Sequence, residues 1–323
     1  MTQHIDDDID WHAEIGAAAR RLGGHVGSFL RETPLWRLPA AALGVEGAGE
    51  VWLKLEHLQT SGSFKARGML NRLLAGEIPE AGVVVASGGN AGIATAAAAR
   101  HLGVRCEVFL PGVSSEAKRQ RLRALGAQVS VVGEVYADAL AACLARQQAT
   151  GALLTHAYDQ VEVVAGAGTL GLEIERQAGA APDAVLVSVG GGGLAGGLAA
   201  ALAGRSRIVA LEPEAAPTLF RAREAGQPVD VEVGGIAADS LGARRIGSLA
   251  WRIAQRHVLE ALLLSDDAIR AAQQWLWREM KLAVEPAAAL PLAALHSGAW
   301  RPAAGTATCL VICGANVDPA TLG

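Results

Sequence analysis

No apolar run reaches ~18 residues without a charge or a glycine break, so no membrane-spanning helix is expected. The N-terminus lacks a basic-then-apolar targeting signal. It carries Asp6-Asp7-Asp8-Ile9-Asp10 instead, acids that would solvate or cap a first helix over residues 11–22. Cysteine is scarce, with only Cys106, Cys143, Cys309 and Cys313. None forms a CxxC pair and no histidine cluster completes a zinc pattern. Reduced thiols in a cytoplasmic protein are the expectation. There is no excess of positive charge. The formal net charge is −4, which gives no general electrostatic reason to expect nucleic-acid binding. No repeat at solenoid period and no low-complexity tail is visible. What the chain does have is bulk. Its 323 residues, 51% hydrophobic and 19% charged, describe a globular protein long enough for two domains.

Thr33-Pro34-Leu35 reads as a turn leading to the first strand. From residue 83 onward short apolar strands alternate with helices. Strands are expected at 83–86, 107–110, 129–132 and 153–155, with helices at 91–101, 115–125 and ending near 148. A second series follows, with helices at 166–177 and 194–203 and strands at 184–189 and 208–211. Residues 213–247 are rich in Gly, Pro and Asp and read as loops with short helices. A strand within 257–264, helices at 266–281 and 286–296, and a strand at 310–312 complete the chain. This alternation implies the α/β class, a mainly parallel sheet with helices on both faces.

Three stretches carry chemistry. The first is Ser61-Gly62-Ser63-Phe64-Lys65-Ala66-Arg67-Gly68, between a strand over 51–56 and a helix over 69–74. Lys65 thus lies near a helix N-terminus, where the dipole disfavours a cation. A lowered pKa enlarges the neutral amine fraction that Schiff-base attack on a carbonyl needs. A lone lysine in such a turn would ordinarily be read as solvated. The second is Ser87-Gly88-Gly89-Asn90-Ala91-Gly92, after a strand and before a helix, where backbone N–H groups can gather on a carboxylate or a phosphate. The third is Gly190-Gly191-Gly192-Gly193-Leu194, again strand to helix, where the missing Cβ atoms let the backbone approach an anion. Two readings stay open for this third loop. Gly191, Gly193 and Gly196 satisfy G-x-G-x-x-G, and Glu212 lies where a ribose-binding acid would sit, so a dinucleotide dehydrogenase is the alternative. That alternative leaves Lys65 and the Asn90 loop unexplained.

The run Lys54 to Gly68 resembles the lysine segment of the fold-type II pyridoxal-phosphate enzymes, and within them the serine/threonine dehydratase branch. Similar segments recur in order to the C-terminus, so the resemblance covers nearly the whole chain after Thr33. It implies a tryptophan synthase β-like fold of two domains, the large one from 1–68 and 158–323, the small inserted one from 69–157. It implies that Lys65 carries pyridoxal 5'-phosphate as a Schiff base and that Phe64 lies against the pyridine ring. Ser87, Gly88, Gly89 and Asn90 would grip the substrate carboxylate, with Asn90 also on the cofactor's ring hydroxyl. Gly190, Gly191, Gly192, Gly193 and Leu194 would form the phosphate cup. Cys313, in Val311-Ile312-Cys313-Gly314-Ala315-Asn316, would meet the pyridine nitrogen, and Glu285, in Val284-Glu285-Pro286-Ala287, would stand near the ring. Ala165-Gly166-Ala167-Gly168-Thr169 resembles the start of the family's second-half helix.

Departures from the family pattern narrow the reaction. Racemases of the family carry a serine where Gly88 stands, so two-base racemisation is disfavoured. Relatives that hold a cation use a Glu, a backbone carbonyl and an Asp. Glu212 and Ala216 match, but Thr218 replaces the Asp, which disfavours a divalent ion. The chain leaves no room after Asn316 for the regulatory domain of biosynthetic threonine dehydratases. The expected activity is β-elimination from a β-hydroxy amino acid such as threonine or serine, giving a 2-oxo acid and ammonia. Phenylserine and 3-hydroxyaspartate are alternatives, the latter disfavoured because no basic cluster is visible near the expected substrate loops. The expected partners are a small amino-acid substrate and a second copy of the chain.

Overall fold

The computed structural model describes residues 9–45 and 49–322. Asp6 to Asp8 lie outside them. Asp10 caps α1 (Trp11–Gly23), its carboxylate accepting from the N–H of Ala13. This is the N-cap role of a short acid.

Strand β1 (Leu35–Pro39) pairs antiparallel with β2 (Glu50–Lys54). Helix α2 (Lys65–Leu74) then leads to β3 (Val83–Ala86), α3 (Asn90–Leu102), β4 (Cys106–Leu110), α4 (Glu116–Ala124), β5 (Gln128–Val131), α5 (Tyr136–Thr150) and β6 (Leu153–Leu154). These four strands form one parallel sheet in the order β5-β4-β3-β6. Val83 and Val85 join one core cluster with Leu70 and Ile93, while Val84 and Ala86 join another with Ala139 and Cys143. The alternation is the pleat at work, one face toward α2 and α3, the other toward α5.

The chain continues through α6 (Val161–Ala178), β7 (Ala184–Ser188), α7 (Gly193–Ala201), β8 (Arg207–Pro213), α8 (Thr218–Ala225), α9 (Ser248–His257), β9 (Val258–Leu264), α10 (Asp266–Met280), α11 (Pro286–His296) and β10 (Ala307–Val311). The second sheet runs β1-β2-β10-β7-β8-β9, parallel except at β1. Strand β7 is buried along its whole length, as a strand covered on both faces must be. Two strand orders with skipped neighbours create crevices at the carboxyl ends of the strands, where ligands bind in open α/β sheets.

The expected elements are present, with two shifts that matter. Helix α2 begins at Lys65, four residues earlier than its apolar pattern indicates, because Phe64 already has helical dihedrals. Helix α6 begins at Val161, so residues 165–169 are helix interior and not its start. The small residues there serve close packing. A Cβ on Gly166 would lie 2.8 Å from the Arg67 carbonyl, and one on Gly168 would lie 2.9 Å from the Gly197 carbonyl. Gly166 therefore lets α6 approach α2, and Gly168 lets it approach α7.

Candidate active site

Lys65 is fixed from three directions. Residues 62–64 pair with the segment after β10: the N–H of Phe64 donates to the Cys313 carbonyl (3.0 Å), and the N–H of Ala315 donates to the Gly62 carbonyl (2.8 Å). Below, Arg67 forms a bidentate pair with fully buried Glu56 and reaches Glu173, all three contacts at 2.8 Å. Lys54, also fully buried, reaches Glu173 at 2.6 Å and the Thr33 carbonyl at 2.7 Å. These ion pairs tie β2, the first turn of α2 and α6 together. Ahead, the Lys65 amine donates to the Ala157 carbonyl and lies 5.1 Å from the Phe64 ring centre.

Burial lowers the Lys65 amine to about 8, against the opposing pull of Cys313 and Glu285. Desolvation disfavours the charged form, so burial is the larger cause of the lowered pKa that the helix position alone suggested. The same burial pushes the Cys313 thiol well above its ordinary value, so it is a neutral SH group. Glu285 is raised to about 7 by burial, opposed by the Asn90 amide and the Asn316 N–H.

Two sets of unpaired backbone donors face the chemistry an anion needs. Among the described residues, the N–H groups of Ser87 to Asn90 and of Gly191 to Leu194 have no protein acceptor. Residues 191–194 are buried, and buried N–H groups without partners are rare unless a ligand completes them. The glycines are needed there. A Cβ on Gly191 would strike the Tyr158 ring, and one on Gly192 would meet Ala250 and Ile246 at 2.6 Å. Gly192 also has φ +86°, a conformation that suits glycine. Phe64, Lys65, Asn90, the loop 190–194, Glu285 and Cys313 line one cavity together. The residues thus fit an aromatic aldehyde phosphate: an amine for the aldehyde, N–H donors for the phosphate, a ring face and a thiol for the pyridine.

Some expectations change. Asn90 donates to both Glu285 oxygens, at 2.9 and 3.0 Å, and accepts from Asn316 at 2.5 Å, so its amide is already engaged. Glu285 is also the N-cap residue of α11, with Pro286 at the first helical position. A Cβ on Gly88 would lie 2.9 Å from Leu110 Cδ2, so a serine there would need the neighbour to move. Glu212 is fully buried and accepts from Thr218, Leu219 and Phe220, which leaves it unable to hold a ribose and removes the dinucleotide reading. Basic residues do gather near the 87–90 loop. Lys118, Arg121 and Arg270 line a cavity of about 670 Å³ with Gly88, Gly89 and Asn90. Sequence missed them because α4 and α10 are far apart in the chain and meet only across the cleft. A separate cavity of about 790 Å³ beside α8 contains none of these groups.

The family model for "Pyridoxal-phosphate dependent enzyme" matches residues 26–314. A phenylserine dehydratase of Ralstonia pickettii is 38% identical over 83% of this chain and 83% of its own length. An L-threonine ammonia-lyase of Thermotoga maritima is 33% identical over 84% of this chain and 68% of its own. Among solved structures, a T.th. threonine deaminase superposes with TM-score 0.85 at 36% identity, covering 95% of this chain and 98% of that one. Maize serine racemase superposes with TM-score 0.87 at 28% identity, covering 96% and 94%.

Proposed function

The chain belongs to the family of pyridoxal-phosphate-dependent enzymes, and from that premise we propose that it converts a β-hydroxy amino acid such as threonine or serine to a 2-oxo acid and ammonia, through loss of the β-hydroxyl as water and later uptake of water. The observation that carries this reading is the buried amine of Lys65, held beside a neutral thiol and a glycine loop with unpaired N–H groups. Pyridoxal phosphate bound there supplies the electron sink for a carbanion at the substrate's α-carbon.

The chain's own residues do the rest. The N–H groups at 87–90 hold the substrate carboxylate at the start of α3. The free Lys65 amine takes the α-proton; its pKa near 8 suits a base working close to neutrality. The neutral Cys313 thiol cannot stabilise a charged pyridine nitrogen, which favours prompt departure of the β-hydroxyl over a long-lived carbanion. Gly88 offers no proton on the opposite face, so the proton is not returned there. The released enamine takes up water to give the 2-oxo acid and ammonia.

The partition into a large unit (1–68 and 158–323) and a small inserted unit (69–157) rests on the two sheets drawing strands from those ranges. A cytoplasmic homodimer is the assembly we propose. Sedimentation velocity should return the mass of two chains, and a single-chain mass at micromolar concentration would refute it. A second substrate reading rests on Arg121 and Arg270, which line the cavity beside the 87–90 loop and favour a side chain that bears its own carboxylate, as in 3-hydroxyaspartate; Lys118 there is paired with Asp239, and Arg121 also donates to Asn316. The phenylserine relative favours an aryl one. One ammonia-release panel over serine, threonine, phenylserine and 3-hydroxyaspartate decides among them. Lys65→Ala should lose release on every substrate, and turnover at the parent rate would overturn the assignment.

A further inference from the structure

Glu212 lies in β8 with no exposure to solvent. Its Oε1 accepts from the Thr218 hydroxyl at 2.9 Å and the Leu219 N–H at 2.8 Å, and its Oε2 accepts from the Phe220 N–H at 2.7 Å. The carboxylate therefore caps the start of α8, where N–H groups need acceptors. The Thr218 hydroxyl also lies 2.6 Å from the carbonyl of Gly190, the first residue of the glycine loop. A hydroxyl has one proton, and here it sits between those two oxygens. The Ala216 carbonyl accepts from the Thr218 N–H at 3.2 Å.

A cation does not fit this set. Magnesium and calcium take six or more oxygens and favour carboxylates. Here one carboxylate is surrounded by three donors, whose hydrogens would repel a cation. The third corner holds a hydroxyl, and the Ala216 carbonyl is already engaged. Glu212 and Ala216, which match two of the family's cation ligands, here belong to an internal hydrogen-bond network with Thr218.

We propose that Thr218 is a positioning residue that does the cation's work: it fastens the Gly190 carbonyl, and with it the phosphate loop, to Glu212 and α8 without a metal ion. Thr218 touches the loop and does not line the cavity beside Lys65. This inference rests on the cofactor reading given above.

The test uses the holoenzyme, stripped with a chelator and titrated with Mg²⁺ or Ca²⁺ at constant ionic strength. Its melting temperature and its cofactor dissociation constant should not change. A saturable rise in either stability or cofactor affinity would overturn the proposal. Thr218→Val leaves the Gly190 carbonyl without its hydroxyl partner and should weaken cofactor binding roughly ten-fold, the effect of one unmet, partly buried acceptor. Thr218→Ser keeps the hydroxyl and should retain parental cofactor affinity. Parental affinity in Thr218→Val, or a serine variant as weak as the valine one, would refute the assignment. Should the valine variant not fold, the serine variant and the cation titration still decide. A parent chain that takes up no pyridoxal phosphate at all would instead remove the cofactor reading itself.

Discussion

A lysine amine with an ordinary pKa near 10.4 is almost wholly charged at neutral pH and attacks aldehydes poorly. Lys65 escapes this because it is enclosed by its own fold. The sign of the effect is direct. Below about 8 the amine is mostly ammonium and inert; above it the neutral form dominates. Uptake of pyridoxal phosphate by the apoprotein should therefore quicken as pH rises through about 8 and then level off, as stopped-flow absorbance would follow. A midpoint displaced to the ordinary lysine value would contradict the burial argument. At this scale the sequence was informative about which residues matter. Lys65, Asn90, the glycines of 190–193, Glu285 and Cys313 line one cavity, while Gly88 and Gly89 line the neighbouring one. Their hydrogen bonds were not legible, because the Asn90–Glu285 and Asn90–Asn316 contacts join positions 195 and 226 residues apart.

Between the residue and the fold stands the first turn of α2, which aims the lysine. Its register depends on Arg67, whose guanidinium is nearly buried and pairs with both Glu56 and Glu173, Lys54 supplying the second positive charge at Glu173. Removing one partner of a buried pair strands the other's charge. Arg67→Ala should cost about 3–5 kcal/mol of stability in denaturant unfolding. A loss within ordinary surface-mutation range would mean that Glu56 finds another partner. Arg67 lies inside the lysine segment, yet no sequence signal assigned it a role. Its partners are a buried glutamate in a short loop and a second one on α6, 106 residues away. Helix boundaries were the other weak point. The periodicity of α2 begins at residue 69, while the backbone turns helical at Phe64 for reasons of pairing with the 313–315 segment. Likewise the small residues of α6 looked like the start of the helix, because glycine marks both helix ends and tight helix contacts.

For the whole molecule, alternation of short strands with helices predicted the α/β class, the division into two units came from the family resemblance, and the strand orders of the two sheets bring three distant loops to one place. What sequence could not supply was the space left over. The cavity beside the 87–90 loop draws its lining from α3, α4, α10 and the last loop, so its cations appear only once the sheets are set side by side. The central claim nevertheless concerns a single covalent bond, and the chain is well suited to locating it. It has only four lysines, Lys54, Lys65, Lys118 and Lys281. Borohydride reduction of the holoenzyme, followed by proteolysis and peptide mass spectrometry, reads the attachment point directly. The account predicts one pyridoxyl group per chain, on Lys65 alone; a label on Lys118 or elsewhere, or none after saturation with the cofactor, would contradict it.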